Sequence, residues 1–175
     1  MPAMDFQSRA PRLSFFDTSR PGEEEAMCQA QFNPTEWDQE LSAEYARLVP
    51  IGMPHQVLQY TGTSNHRINL DLFWLVQDPE TKEQCSKARR FLEAMFYPSG
   101  SAKSVATGSP PDILVVWPTV LAMPVKFLTL RIRNMLFNKR GEVIQWNASL
   151  TCEESRRKRL TREEVLKYGT LRSPG

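Results

Sequence analysis

The chain has 175 residues and a formal net charge of +2, with 41% hydrophobic and 24% charged residues. That length suits one domain with a real core, and the balance is that of an ordinary globular chain. The charge is too small to argue for a nucleic-acid or membrane partner, and the apolar runs "RINLDLFWLV" and "DILVVWPTVLAMPV" are interrupted well short of the roughly 20 residues that span a bilayer.

Residues 1–26 carry Pro2, Pro11, Pro21, Gly22 and the acidic run Glu23 to Glu25, and read as an arm with one short strand at "RLSFFDT". The opening "MPAMDFQSRAPR" lacks the apolar stretch of a signal peptide, so the chain is expected to be made and kept in a cytoplasm. In "AMCQAQF", Met27, Gln29 and Gln31 alternate with Cys28, Ala30 and Phe32, which predicts a strand. Asn33-Pro34 breaks it, because proline cannot donate to a ladder and asparagine tolerates turn angles. "WDQELSAEYA" fits a helical turn by its acid-rich spacing and a strand face by Trp37, Gln39, Leu41 and Ala43. "PHQVLQYTG" is a short strand ending at Gly62. "HRINLDLFWLVQD" is a clearer one, with Ile68, Leu70, Leu72, Trp74 and Val76 on one face.

Residues 80–97 give a helix, started by Asp78-Pro79 and stopped by Pro98-Ser99-Gly100. Its apolar stripe is Cys85, Ala88, Leu92, Met95 and Phe96. Residues 99–112 read as a loop, and "DILVVWP" as a strand buried on both faces. "VKFLTLRIRNMLF" and "EVIQWNASLTCEE" are two long strands joined at "NKRG" into a hairpin. The tail carries Arg156, Arg157, Lys158, Arg159 and Arg162, while Leu160, Val165 and Leu166 suit a short helix. The organisation is an arm (1–26), a mainly β domain (27–154) of six or seven strands with a flanking helix, and a basic tail (155–175).

Signals for catalysis are poor, and the chain is not read as an enzyme. Cys28, Cys85 and Cys152 are far apart, form no CxxC pair, and suit three reduced thiols better than a metal site or a disulfide framework. Cys28 or Cys152 with His66 would make a thiol hydrolase, but both cysteines fall on apolar strand faces. Ser64 near His66 sits in a turn-like run, and Glu23 to Glu25 and Glu153-Glu154 read as solvated charge. The basic cluster could touch nucleic acid, yet no aromatic residues interleave with it to give a stacking platform.

The hairpin is the stronger signal. Leu128, Leu130 and Ile132 with Ile144, Trp146, Ala148 and Leu150 form an apolar face. Thr129, Arg131 and Arg133 with Gln145, Asn147, Ser149 and Thr151 form a polar one. Long amphipathic strands are edge hazards unless paired. Two arrangements answer that: pairing with identical neighbours into a closed ring, or a β-sandwich with one wet face.

The ordered set "QFNPTEW", "PHQVLQYTGTSNHRINLDLFWLVQD", a helix, "PPDILVVW" and "TLRIRNMLFNKRGEVIQWNASLTCEE" resembles the tube-type domain of phage tail and contractile injection system proteins. The matching residues are Phe32, Asn33 and Pro34 in the opening turn, and Leu70, Leu72, Phe73 and Asp78 in the long strand and its exit. Pro110, Pro111 and Trp117 match the buried strand, and Phe137, Gly141, Trp146 and Ala148 the hairpin. Pro118 stands where the family has glycine, "EVIQWNA" replaces its Pro-x-Arg-Ala run, and the lysin-motif domain of adaptor members is not expected in the residues after Glu154.

The resemblance implies an antiparallel sandwich or partly closed barrel of tail-tube type, with no cofactor. The hairpin would then close a hexameric ring with neighbouring copies through Leu128, Leu130, Ile132, Ile144, Trp146, Ala148 and Leu150. Thr129, Arg131, Gln145, Asn147 and Ser149 would face the channel, and Arg156, Arg157, Lys158 and Arg159 would dock on a neighbour. Implied partners are further copies, a tail tube protein and a baseplate hub or spike protein, with nucleic acid only as transported cargo and no membrane. The particle would be a virion tail or an injection device assembled in a bacterial cytoplasm.

Overall fold

The computed structural model describes residues 11–23, 26–52, 54–98, 108–155 and 161–168. Nine strands run in chain order: β1 (Ser14–Asp17), β2 (Met27–Gln29), β3 (Trp37–Glu40), β4 (Ala43–Leu48), β5 (Val57–Thr63), β6 (Arg67–Leu75), β7 (Ile113–Trp117), β8 (Leu121–Phe137) and β9 (Val143–Glu154). Helix α1 spans Pro79–Ala94 and α2 spans Arg162–Tyr168. Seven strands make one antiparallel sheet, in the order β2-β1-β7-β8-β9-β6-β3, while β4 and β5 pair with each other alone. The fold is mainly β, a sandwich with a flanking helix that does not close into a barrel.

β8 joins the two halves of that sheet. Its first residues pair with β7, up to Ile113 opposite Val125, and from Val125 onward it pairs with β9 on its other side. The sequence places the start of this strand at Val125, whereas it begins at Leu121 and takes in Pro124. The proline fits for a geometric reason. Its carbonyl accepts the Ser155 N–H at 2.9 Å, so its missing N–H points to that same side, beyond the end of β9 and away from the β7 ladder. β7 is also less buried than its apolar run suggests: Ile113 and Val115 face the core, while Leu114 and Val116 are half-covered.

The core lies between the two halves. Ile68, Leu70, Leu72 and Trp74 of β6 alternate inward as their spacing predicts, facing Trp146, Ala148, Leu150 and Cys152 of β9. Trp74 and Trp146 are register partners, and their rings stack at 4.1 Å between centroids and 9° between planes. Phe15 of β1 meets Phe127 of β8 edge-on at 5.8 Å, linking the halves.

Helix α1 covers the inner side of the sheet with Cys85, Ala88, Phe91 and Leu92, packing on β2 and β6. Its start is a reciprocal cap: the Thr81 N–H donates to Asp78 Oδ1 at 2.7 Å, and the Asp78 N–H donates to Thr81 Oγ1 at 2.9 Å. The bonds from Thr81 hold the exposed Asp78 carboxyl below its ordinary range. A carboxylate depressed in the folded state stabilises above its unfolded pKa and loses that effect as pH falls through the folded one. Asp78→Ala is therefore expected to lower the melting temperature at neutral pH. The gap to wild type should narrow below about pH 4, as thermal melts followed by circular dichroism will show.

The Asn33-Pro34 break has a topological cause. β2 and β3 are consecutive in sequence but lie at opposite margins of the sheet, so residues 30–36 must cross between them. The crossing is tied by side chains. Gln31 accepts the Leu75 N–H at 2.7 Å and donates to the Leu75 carbonyl at 2.9 Å, as a strand neighbour would. Asn33 does the same for the other half, accepting from the Leu13 N–H at 2.9 Å and donating to the Pro11 carbonyl at 3.0 Å. Phe32 packs on Phe73, with centroids 5.5 Å apart, and Pro34 is buried.

Candidate assembly surface

The functional candidate is the polar side of β8, β9, β6 and β3. The ladder registers align its side chains in rows. Thr129 faces Thr151, which faces Asn69, which faces Asp38. Arg131 faces Ser149, which faces Asp71; Arg133 faces Asn147, which faces Phe73. Residues of one row on one face are side-chain neighbours, so the first two rows form one continuous wet surface, which in the third row meets the half-buried Phe73.

That surface is electrically graded. Arg131 and Arg133 stand exposed on β8, while Asp38, Glu40 and Asp71 stand exposed on β3 and β6. Between them β9 presents the neutral Asn147, Ser149 and Thr151. None of these five charges has an ion-pair partner among the described residues, whereas Arg67 pairs with Glu153 and Lys126 with Asp112 along the same end of the sheet. Asn147 Oδ1 is buried and has no hydrogen-bond partner among the described residues. Gln145 is half-buried and reaches Met135 Sδ at 3.7 Å.

Both margins of this half-sheet are open among the described residues. β7 leaves β8 at Val125, so from Lys126 to Phe137 no strand pairs with β8 on the side away from β9. At the far margin β3 pairs only with residues 67–70 of β6, and nothing pairs with β3 on its outer side.

The apolar residues expected at the hairpin divide into three environments. Trp146, Ala148 and Leu150 are buried in the chain's own core. Leu130, Ile132 and Ile144 are half-buried. Leu128 parts from Leu130 and Ile132: a β-bulge between Phe127 and Thr129 turns it outward, 42% exposed. The bulge also switches the inward-facing set from odd residues (Leu121 to Phe127) to even ones (Leu130, Ile132). The expected docking residues Arg156, Arg157, Lys158 and Arg159 lie outside the described residues.

Sequence reasoning missed the acidic margin, because Asp38, Glu40 and Asp71 are grouped by topology rather than spacing. It also left open whether residues 37–46 are helix or strand. They form β3 and β4, and the β4–β5 hairpin stands out from the sheet, with Tyr45, Leu48, Val49, Ile51, Val57, Leu58 and Tyr60 exposed. At its base the Ser42 N–H donates to Ser64 Oγ at 2.9 Å, so Ser64 serves as a hinge tie.

The thiol-hydrolase alternative would need an accessible thiolate. Cys28, Cys85 and Cys152 are buried, and burial raises the Cys28 thiol to about 12 and pushes the other two upward as well. His66 contacts Gln39 through Nδ1, at 2.6 Å.

No family model and no curated protein matches the chain. Among solved structures, it is similar to a chain of the anti-feeding prophage (AFP) baseplate, 6-fold symmetrised. The TM-score is 0.42 and the identity 12%, over 84% of this chain and 89% of that one.

Proposed function

We propose that this chain is a structural, load-bearing component of a contractile tail or injection device: a ring-forming tube-initiator or adaptor subunit that joins the tail tube to the baseplate hub. The observation that carries this reading is the amphipathic β8–β9 hairpin with an open strand margin on either side of its half-sheet. Open strand margins that carry the registers of a regular ladder are templates for further strands. Copies added around a closed circle would satisfy all of them and leave no free edge. The ordered motifs from Phe32 to Ala148 point the same way by resemblance.

In this reading the mechanism is mechanical. Backbone ladders between copies carry load along the ring, because stretching it requires breaking many hydrogen bonds together. The surface of Thr129, Arg131, Gln145, Asn147 and Ser149 borders the channel. The exposed Thr129, Arg131 and Ser149 keep their hydration, so a passing cargo meets no continuous apolar surface to adhere to. The basic residues Arg156 to Arg159 dock on an acidic neighbour in the stack.

The test uses the cells that make the protein. A copy tagged at the C-terminus is purified under mild lysis and imaged, with gold label on the tag. Label at one end of tubular, sheathed particles is the expected result. Tagged protein bound along DNA, and released by salt, would favour the alternative of a small nucleic-acid-binding β-domain.

A further inference from the structure

The charge gradient on the wet surface specifies how two copies meet. We infer that the free β8 flank of one copy, Thr129–Arg133, pairs antiparallel with the β3–β6 margin of a second copy, bringing Arg131 beside Asp38 and into the row of Asp71. This deepens the ring reading and rests on it.

Three observations carry it. The first is direction. β8, β9, β6 and β3 alternate in direction, so a second β8 laid beside β3 runs antiparallel to it and continues the ladder already present. The second is charge. The five groups are exposed and unpaired among the described residues, basic at one margin and acidic at the other. The third is level. Through the existing registers Thr129 stands in the row of Asp38, and Arg131 in the row of Asp71. A straight continuation therefore sets Arg131 diagonally next to Asp38, within reach of a long side chain.

The same charges disfavour two-fold pairing. Two β8 flanks placed together oppose arginine to arginine, and two β3 margins oppose Asp38 and Glu40 to their own kind. Unlike margins meeting head to tail give a heterologous contact, which either closes into a ring or extends as a filament. Arginines on an exposed edge also serve in other proteins to keep that edge single, and the experiment separates the two roles.

The full chain carrying Thr129→Cys together with Asp38→Cys is treated with a short thiol-to-thiol linker, with each single variant alongside. Cys28, Cys85 and Cys152 are buried and stay silent unless the chain unfolds. A ladder of covalent multimers from the double variant, and none from either single variant, is the expected result. Arg131→Glu with Arg133→Glu should weaken self-assembly at least about tenfold, and adding Asp38→Arg with Asp71→Arg should restore it. All these positions are exposed, and an unchanged circular dichroism spectrum confirms folding.

Rings that assemble but give no ladder overturn this edge pairing and leave the ring reading standing. Dimers from Thr129→Cys alone overturn it in favour of a two-fold contact. A wild-type chain that stays monomeric at its highest soluble concentration removes both. So does a chain that self-associates only once Arg131 and Arg133 are replaced by serine.

Discussion

Replacing Trp146 by alanine is expected to destabilise the chain by about 3–5 kcal/mol, the range for removing a large buried aromatic side chain. Trp146 is only 3% exposed, and Trp74, stacked on it, is 2% exposed. The two are register partners on β6 and β9, so the substitution opens a cavity where these central strands meet the core. It also leaves Trp74 without the ring contact that aromatic pairs add beyond area burial. Against a usual domain stability of about 5–15 kcal/mol, a loss of that size populates unfolded chains appreciably. Urea titration followed by circular dichroism measures it, and Trp146→Phe should recover most of the loss. A change under about 1 kcal/mol would mean that the stack is peripheral to the core.

The second large effect is expected at Gln31. Its side-chain amide takes the place of a strand neighbour at the end of β6, bonding both the N–H and the carbonyl of Leu75. Cys85 Sγ of α1 lies 3.8 Å from its oxygen, so the amide sits under the helix. Gln31→Ala leaves the half-buried Leu75 N–H without a partner and the Leu75 carbonyl with only the weak Cys85 thiol donor at 3.9 Å. The expected loss is about 1–3 kcal/mol, together with loosening of the crossing segment. Hydrogen exchange gives the specific signature. Leu75 and the first turns of α1 should lose protection, while Ala148 and Leu150 of β9 keep it. Uniform loss across both regions would show that Gln31 acts on global stability and not as a local latch.

Where neighbours in sequence are neighbours in function, the sequence was readable. Strand β6 declared itself through Ile68, Leu70, Leu72 and Trp74, and β9 through Trp146, Ala148, Leu150 and Cys152, because burial on one face imposes period two. The start of α1 was visible in Asp78-Pro79, and Thr81 completes the cap. What could not be read depends on distant contacts. The start of β8 at Leu121 was hidden because the harmless orientation of Pro124 is set by where β9 ends. Leu128 looked like a member of the inward set because a bulge inserts a residue without leaving a mark in the local pattern.

The assembly surface shows the same limit. Arg131 and Arg133 were legible as the polar side of one strand. Asp38 and Glu40 lie in a stretch that fits helix or strand alike, and Asp71 lies in a separate strand. They become one margin only once β3 is placed beside β6 and β6 beside β9. The role of "AQFNP" was hidden for a related reason: a segment that crosses between sheet margins has no period of its own, and its function rests on the side-chain bonds of Gln31 and Asn33.

The measurement that bears most directly on the ring reading is the mass and shape of the purified chain, by mass photometry with negative-stain imaging. One chain weighs 20.1 kDa. Closed rings with a central opening and about six times that mass, alone or stacked, are the predicted result. Particles of one or two chains at every concentration, with no ring in the images, would contradict it.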